Sequence, residues 1–143
     1  MRLCSLLAFA LWGLGTSAAF GQMPQLLLFG GEDNNIFLGC LNCSQSDRRS
    51  ICDQFGEYGS QFNGESIWNP FGNFGSPFSS DSPWNQSSTS GPMIVDKFGK
   101  SYGRFTSNRS ASDRTQIDAL NHLVDLVARG TDLDKARDLF CEH

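Results

Sequence analysis

The sequence predicts an α+β fold: a short β and turn repeat array of three 16-residue blocks, then a β-hairpin, then a C-terminal helical pair. Three patterns predict it. Residues 44–91 repeat with a period of 16, residues 92–106 hold two extended runs around a glycine turn, and apolar residues recur at helical spacing within residues 112–141. We expect residues 22–143 to form a single mature domain, because a chain of this length builds one core.

The first 21 residues have the pattern of a removable signal peptide. Arg2 precedes an apolar run from Leu3 to Leu14, and small residues follow at positions 16–19. A membrane-spanning helix needs about 20 apolar residues, and Gly13 and Gly15 interrupt this run too early. The sequence therefore predicts a secreted or periplasmic protein whose mature chain has no stable membrane insertion.

The charge balance excludes some partners. The chain carries 11 Lys and Arg residues against 15 Asp and Glu residues, and loss of Arg2 with the signal would add one negative unit to the net charge of −4. Such a chain repels phosphate backbones and anionic membranes. We therefore expect no nucleic-acid partner.

Four cysteines remain after the signal, and an even number in an exported chain favours two disulfides. Three pairings are possible. We expect Cys52 to pair with Cys40 or Cys43 and Cys141 to pair with the remaining one, because Cys52 stands where later blocks have an inward tryptophan. Such a bridge would close the open end of the repeat array.

Two other uses of these cysteines are weaker. Cys40, Cys43 and Cys52 could be zinc ligands, with a fourth ligand from Cys141, His122 or His143, but the second Cys-x2-Cys pair of a zinc ribbon is missing. A thiol oxidoreductase would use the Cys40/Cys43 pair, yet no βαβ pattern surrounds it. We predict neither a metal nor a cofactor.

The repeat spans residues 44–59, 60–75 and 76–91. A serine opens each block, a glycine closes it and a second serine is seventh, as the following residues show: Ser44, Ser50 and Gly59; Ser60, Ser66 and Gly75; Ser76, Ser82 and Gly91. The third block loses its aromatic-glycine unit, as terminal repeats often do.

The blocks carry no helical stripe, so they predict short extended pieces and tight turns. Glycines at equivalent places would supply positive φ or a close backbone approach: Gly56, Gly59, Gly72 and Gly75. We expect the aromatic residues to superpose and stack from block to block, since one block cannot bury them alone: Phe62, Trp68, Phe71, Phe74, Phe78 and Trp84.

Several strings resemble a group of uncharacterised bacterial exported proteins, which share a Cys-Leu-Asn-Cys opening followed by aromatic-Gly and Ser-Ile-Trp-Asn repeats. The resemblance covers about half of the chain and implies a secreted bacterial protein, without an activity or catalytic residues. The strings are Phe37-Leu38-Gly39-Cys40-Leu41-Asn42-Cys43, Ser66-Ile67-Trp68-Asn69, Phe71-Gly72-Asn73-Phe74-Gly75-Ser76, Ser82-Pro83-Trp84-Asn85 and Ile94-Val95-Asp96.

The C-terminal third predicts a hairpin and two helices. Met93–Asp96 and Ser101–Thr106 flank Gly99, which is typical of a β-hairpin. A first helix would follow Ser112 or Asp113 as N-cap and stop at Gly130, and a second would follow Thr131. The apolar positions are Ile117, Leu120, Leu123, Val124 and Val127 in the first, and Leu133, Ala136, Leu139 and Phe140 in the second.

Few residues point to chemistry. His122 has no nucleophile or metal partner that the sequence can place beside it, so we interpret it as a solvent-edge histidine. Asp53, Asn69 and Asn85 recur in register, and a hydrogen-bonded turn ladder explains them better than calcium, because calcium loops concentrate carboxylates.

The leading hypothesis is an exported, non-catalytic structural or interaction module, because turn formers and aromatics recur rather than titratable groups. Its partner would be an unknown protein or an envelope polymer. One alternative is carbohydrate or cell-wall binding through Trp68, Phe71, Phe74 and Trp84, and a second is the thiol oxidoreductase at Cys40/Cys43. An enzyme is the less favoured class.

Overall fold

The computed structural model describes residues 23–142. It contains one antiparallel four-stranded sheet of order β2-β1-β3-β4 and two helices, so the predicted α+β class is confirmed. The predicted signal peptide of residues 1–21 lies outside the described residues. The elements are β1 (Leu27–Gly30), β2 (Ile36–Cys40), β3 (Met93–Val95), β4 (Ser101–Arg104), α1 (Asp118–Ala128) and α2 (Leu133–Cys141).

Strands β1 and β2 form a hairpin that the sequence analysis did not predict. Its turn places Gly31 at φ 85° and Asn34 at φ 50°, both in the left-handed region that glycine and asparagine tolerate best. Leu28 and Leu38 are fully buried on one side of this hairpin. β1 also pairs with β3, so the chain returns to the sheet after the repeat region.

The predicted hairpin around Gly99 is confirmed by the pairing of β3 with β4. Gly99 has φ 82° and donates its N–H to the carbonyl of Asp96. The Asp96 carboxylate accepts the N–H groups of Phe98 and Lys100 at 2.8 and 3.0 Å. One aspartate therefore organises the whole turn.

Both helices form, but each begins later than predicted. α1 starts at Asp118, because the backbone of Asp113 and Thr115 is bonded to Arg104 and extends the edge of β4 instead. Gly130, at φ 104°, follows the last turn of α1, as expected. The N-cap of α2 is Asp132, whose carboxylate accepts the N–H of Lys135, and not Thr131.

Residues 44–91 form a chain of turns with three- or four-residue steps, which we call coils 1, 2 and 3 for the three blocks. In coil 2, backbone N–H to carbonyl bonds join Ser66 to Asn63, Asn69 to Ser66 and Gly72 to Asn69. Ser, Asp or Asn begins most turns, because these side chains also accept the N–H two residues ahead. Regular strands are absent from these coils, so they are built from turns rather than extended pieces.

One tryptophan joins coil 2 to coil 1, and a second joins coil 3 to coil 2. The Trp68 indole N–H donates to the Ile51 carbonyl at 2.7 Å, and the Trp84 indole N–H donates to the Ile67 carbonyl at 2.6 Å. The two rings lie 5.6 Å apart, and Phe105 follows Trp84 at 5.5 Å. The same bond and ring therefore recur after 16 residues.

Both ends of the coil stack are covered. At the first end, Ile51 donates its N–H to Cys40 of β2, which in turn donates to Arg49. At the other end, Ser107 donates its N–H to Pro83, and the Asn108 amide donates to the Ser88 carbonyl. The residues after β4 thus act as a cap on coil 3.

The four recurring glycines of coils 1 and 2 allow a close approach rather than positive φ. Gly56, Gly59, Gly72 and Gly75 are not among the residues with positive φ, which corrects that part of the prediction. A Cβ on Gly75 would overlap the backbone carbonyl of Asn69, so only glycine fits there.

The disulfides are Cys40–Cys43 and Cys52–Cys141. The prediction of two bridges is confirmed, but the predicted pairing is wrong, because Cys52 reaches the end of α2 and leaves Cys40 to its near neighbour. Within residues 23–142, the structure contains no helix that meets the length and hydropathy needed to cross a membrane.

Candidate functional site

Three of the four residues proposed for carbohydrate binding lie inside the molecule. Trp68, Phe74 and Trp84 are buried, and their rings contribute to the core shared by the coils and the helices. They cannot stack on a sugar from solvent, which corrects the predicted platform. Phe71 is the exception, because its side chain points into solvent.

Phe71 belongs to a set of four exposed phenylalanines. Phe55 and Phe71 hold the same block position and are 93% and 97% exposed, and Phe62 and Phe78 share another position and are 82% and 92% exposed. The expectation that Phe62, Phe71 and Phe78 stack in the interior is therefore wrong. We call Phe55, Phe62, Phe71 and Phe78 the exposed phenylalanine set.

The backbone of every member of the set is held by the side chain two residues before it. The N–H of Phe55 donates to Asp53 Oδ1 and that of Phe71 to Asn69 Oδ1, both at 3.1 Å. The other two donate to serine hydroxyls, Phe62 to Ser60 and Phe78 to Ser76, both at 3.2 Å. The rings thus project from a fixed backbone.

One of these acceptors, Asn69, is itself anchored, as is Asn85 at the same position of the next block. The Asn69 amide group donates to the Asn63 carbonyl at 3.1 Å, and the equivalent Asn85 amide donates to Ser79 at the same distance. Asn85 also accepts the N–H of Ser87. These are the hydrogen bonds that the turn interpretation of Asp53, Asn69 and Asn85 predicts.

Buried serines fix the inner side of each coil. Ser66 donates its hydroxyl to the Tyr58 carbonyl and accepts the N–H of Trp68, both at 3.1 Å. Ser82, one block later, accepts the N–H of Trp84. The seventh-position serines therefore fix the backbone at the inward tryptophans, as other turn side chains do at the outward phenylalanines.

Carboxylates outnumber basic groups around the set, although Arg48 lines one surface cavity together with Phe55, Asp53 and Glu57. Residues 50–96 contain no Lys or Arg and four carboxylates within the coils, at Asp53, Glu57, Glu65 and Asp81. A hydrogen bond to Glu57 raises the pKa of Glu65, and burial raises it further. A partner of this region meets aromatic rings with nearby carboxylates, and at Phe55 it also meets Arg48.

Other candidate residues are less informative. His122 is exposed on α1, as predicted, and lines an apolar cavity of about 480 Å³ with Leu126, Leu139 and Phe140. Within residues 23–142, His, Cys, Asp and Glu side chains nowhere gather in a group of three that could hold a metal ion. Cys40 is buried at the end of β2 rather than at a helix N-terminus, where a reactive thiol is favoured.

Comparison of the chain with protein families, curated proteins and solved structures finds no significant match. The candidate site therefore depends on geometry alone. Sequence reasoning found the recurrence and expected Phe62, Phe71 and Phe78 to stack inside, while its carbohydrate-binding alternative used Phe71 as an exposed residue. The residue two places earlier could not have corrected this expectation, because Ser60 accepts the N–H of outward Phe62 in the same way that Ser66 accepts the N–H of inward Trp68.

Proposed function

We propose that this chain is an exported, non-catalytic interaction module that presents the exposed phenylalanine set to a partner protein. The observation that carries the proposal is the nearly complete exposure of four phenylalanines at two equivalent positions, each on a hydrogen-bonded turn. Isolated exposed apolar residues are normal, but rings repeated in register need a reason.

Energy supports this interpretation. Burying a Phe side chain stabilises a fold by about 1.5 to 3 kcal/mol, so four exposed rings leave a large contribution unused by the fold. A partner that covers them recovers it. Phenylalanine is enriched at protein interfaces, which fits four exposed rings in two equivalent positions.

Rigidity supports it as well. The turn hydrogen bonds fix the main chain beneath Phe55 and Phe71 before any partner arrives. Binding then costs little ordering of the backbone, and a preorganised surface gains affinity for that reason. The carboxylates of Asp53, Glu57 and Asp81 favour a partner with a neutral or basic surface.

Export rests on the sequence. The signal-like residues 1–21 and the resemblance to bacterial exported proteins support it, and the two disulfides fit an oxidising compartment. The partner would then be an envelope or extracellular protein.

Affinity capture from envelope fractions tests the proposal. The immobilised wild-type protein is compared with a variant in which Phe55, Phe62, Phe71 and Phe78 are all serine, and with Phe98→Ser. Phe98 is the matched control, because it is 80% exposed on the β3–β4 turn outside the coils. We expect one protein to be retained by the wild type and by Phe98→Ser and lost by the fourfold variant. Retention of an insoluble polysaccharide instead, lost by the same variant, would contradict a protein partner.

A further inference from the structure

The two disulfides open onto one cavity. Cys43, Cys52 and Cys141 all line a space of about 590 Å³ between the loop after β2, coil 1 and the end of α2. Phe140 forms an apolar wall of the same space. Cys40 is fully buried in β2 and does not line it. One cysteine of the first bridge and both cysteines of the second therefore face the same space.

The second bridge also adjoins another cavity. Cys52 and Cys141 line a second cavity of about 270 Å³, with Arg137, Asp138 and Glu142 among its walls. Both cysteines are half-buried rather than enclosed. Thiol–disulfide exchange needs a thiolate with access to a sulfur of the bridge, and this bridge offers that access.

We propose that the cavity lined by Cys43, Cys52 and Cys141 is a thiol–disulfide exchange site, at which Cys43 passes electrons from an external dithiol to the Cys52–Cys141 bridge. The substrate class is a dithiol, such as a pair of reduced cysteines on another exported protein. This inference does not depend on the exposed phenylalanine set.

The first half of the exchange reduces the Cys40–Cys43 bridge. A thiolate of the external dithiol attacks Cys43 Sγ, the bond to Cys40 breaks and Cys40 leaves as a thiolate that takes a proton. The second thiol of the external molecule then attacks its own sulfur in the mixed disulfide and releases Cys43. The external dithiol ends as a disulfide, and Cys40 and Cys43 end as thiols.

The second half moves those two electrons inward. The Cys43 thiolate attacks Cys52 or Cys141 across the shared cavity, which breaks the Cys52–Cys141 bond and releases the other cysteine. Cys40 then attacks Cys43, restores the first bridge and frees the second residue as a thiol. In total, the external dithiol loses two electrons and two protons, and Cys52 and Cys141 gain them.

The consequence is release of the end of α2. Besides the disulfide, α2 is held on coil 1 by the Arg137 guanidinium, which donates to the Gly59 carbonyl at 3.1 Å, and by the Gln45 amide, which donates to the Cys141 carbonyl. Reduction removes the covalent part of this attachment and leaves these hydrogen bonds.

Cys40→Ser tests the exchange directly, because it leaves Cys43 as a free thiol beside an intact bridge. The purified variant is incubated at mildly alkaline pH, quenched with an alkylating reagent and mapped without reduction. We expect Cys43 bonded to Cys52 or Cys141, with the remaining cysteine alkylated. Cys43→Ser is the matched control, since its free thiol at Cys40 is buried away from the cavity, and we expect it to keep Cys52–Cys141. A Cys40→Ser protein that keeps Cys52–Cys141 and an alkylated Cys43 overturns the proposal.

A rate measurement covers the case in which Cys40→Ser does not fold. Wild type and a Cys40→Ala/Cys43→Ala variant are treated with dithiothreitol, and loss of Cys52–Cys141 is followed over time. The proposal predicts reduction at least about tenfold slower in the double variant, because the internal route to the bridge is gone. Equal rates would mean that dithiothreitol reduces the bridge without Cys43, and would overturn it.

Discussion

Cys52 occupies the block position that Trp68 and Trp84 hold in the next two coils, and its sulfur is bonded to Cys141 at the end of α2. In coils 2 and 3 the indole at this position donates to a carbonyl of the preceding coil. No coil precedes coil 1. Strand β2 covers it instead, through the backbone hydrogen bonds of Cys40. The disulfide therefore replaces the indole contact at the start of the stack and attaches the helices there.

The tryptophan contact predicts a large effect on stability. Trp68→Ala removes a fully buried ring and leaves the Ile51 carbonyl without its donor. We expect the free energy of unfolding to fall by about 3 to 5 kcal/mol in chemical denaturation. Phe71→Ala, in the same coil, removes an exposed ring and should change it by about 0.5 kcal/mol or less. Similar losses for both variants would contradict the inward and outward assignment.

The close approach at Gly75 predicts a position-specific effect of one methyl group. Gly75→Ala would drive its Cβ into the Asn69 carbonyl, whereas Gly64→Ala in the same coil meets nothing within 4 Å. We expect Gly75→Ala to lower the free energy of unfolding by about 1 to 3 kcal/mol. Gly64→Ala should change it little. Thermal unfolding of the two variants compares them. Equal unfolding temperatures of the two variants would contradict the close approach of Gly75 to the Asn69 carbonyl.

The two disulfides should differ in their contribution to stability. Cys52–Cys141 joins residues 89 apart in sequence, whereas Cys40–Cys43 joins residues only three apart. In the chain-entropy account a long loop gives the larger stabilisation, so replacing Cys52 and Cys141 by serine should cost about 3 to 5 kcal/mol. Replacing Cys40 and Cys43 by serine should cost clearly less. Denaturant titration of the two double variants measures the order, and the reverse order would refute it.

The Glu57–Glu65 pair predicts a pH-dependent gain of stability. The pKa of Glu65 lies above its ordinary value of 4.5 in the folded protein, because of a hydrogen bond to Glu57 and burial. A raised carboxyl pKa means that this group favours the folded state below pH 4.5 and that the contribution is lost as pH rises through the folded pKa. Glu65→Gln should therefore raise the melting temperature at pH 7 and lose that gain near pH 4. An equal gain at both pH values would exclude this cause.

The sequence could predict those elements whose signals are local. Gly99 between two extended runs predicts the β3–β4 hairpin, and apolar spacing with Gly130 predicts where α1 ends. The start of α1 was missed, because the polar residues that look like N-caps are engaged by Arg104 of β4. Strands β1 and β2 form a local hairpin that was missed because both strands are short, and β1 owes its second pairing to β3, which lies more than 50 residues further along the chain.

The sequence identified the recurring phenylalanines but predicted interior positions for Phe62 and Phe78, whose side chains face solvent. Recurrence shows that Phe55 and Phe71 are equivalent, yet it does not show which way either points. The inward and outward rules for strands and helices rest on periods of 2 and 3.6, and neither applies to coils built from turns. The same hydrogen bond to the side chain two residues earlier forms at inward Trp68 and at outward Phe71, so this bond does not set the direction, which depends on packing against the neighbouring coil.

The exposed phenylalanine set is proposed as a contact surface. Its members form two rows, one for each block position, and the affinity of the captured partner for variants of a single row tests the proposal most directly. One variant carries Phe55→Ser and Phe71→Ser, a second carries Phe62→Ser and Phe78→Ser, and Phe98→Ser is the control. Binding is measured by titration of the captured protein. We predict that at least one row variant weakens binding by about tenfold or more while its melting temperature stays at the wild-type value, and that Phe98→Ser binds like the wild type. Wild-type affinity in both row variants, and in the fourfold variant, would contradict the account.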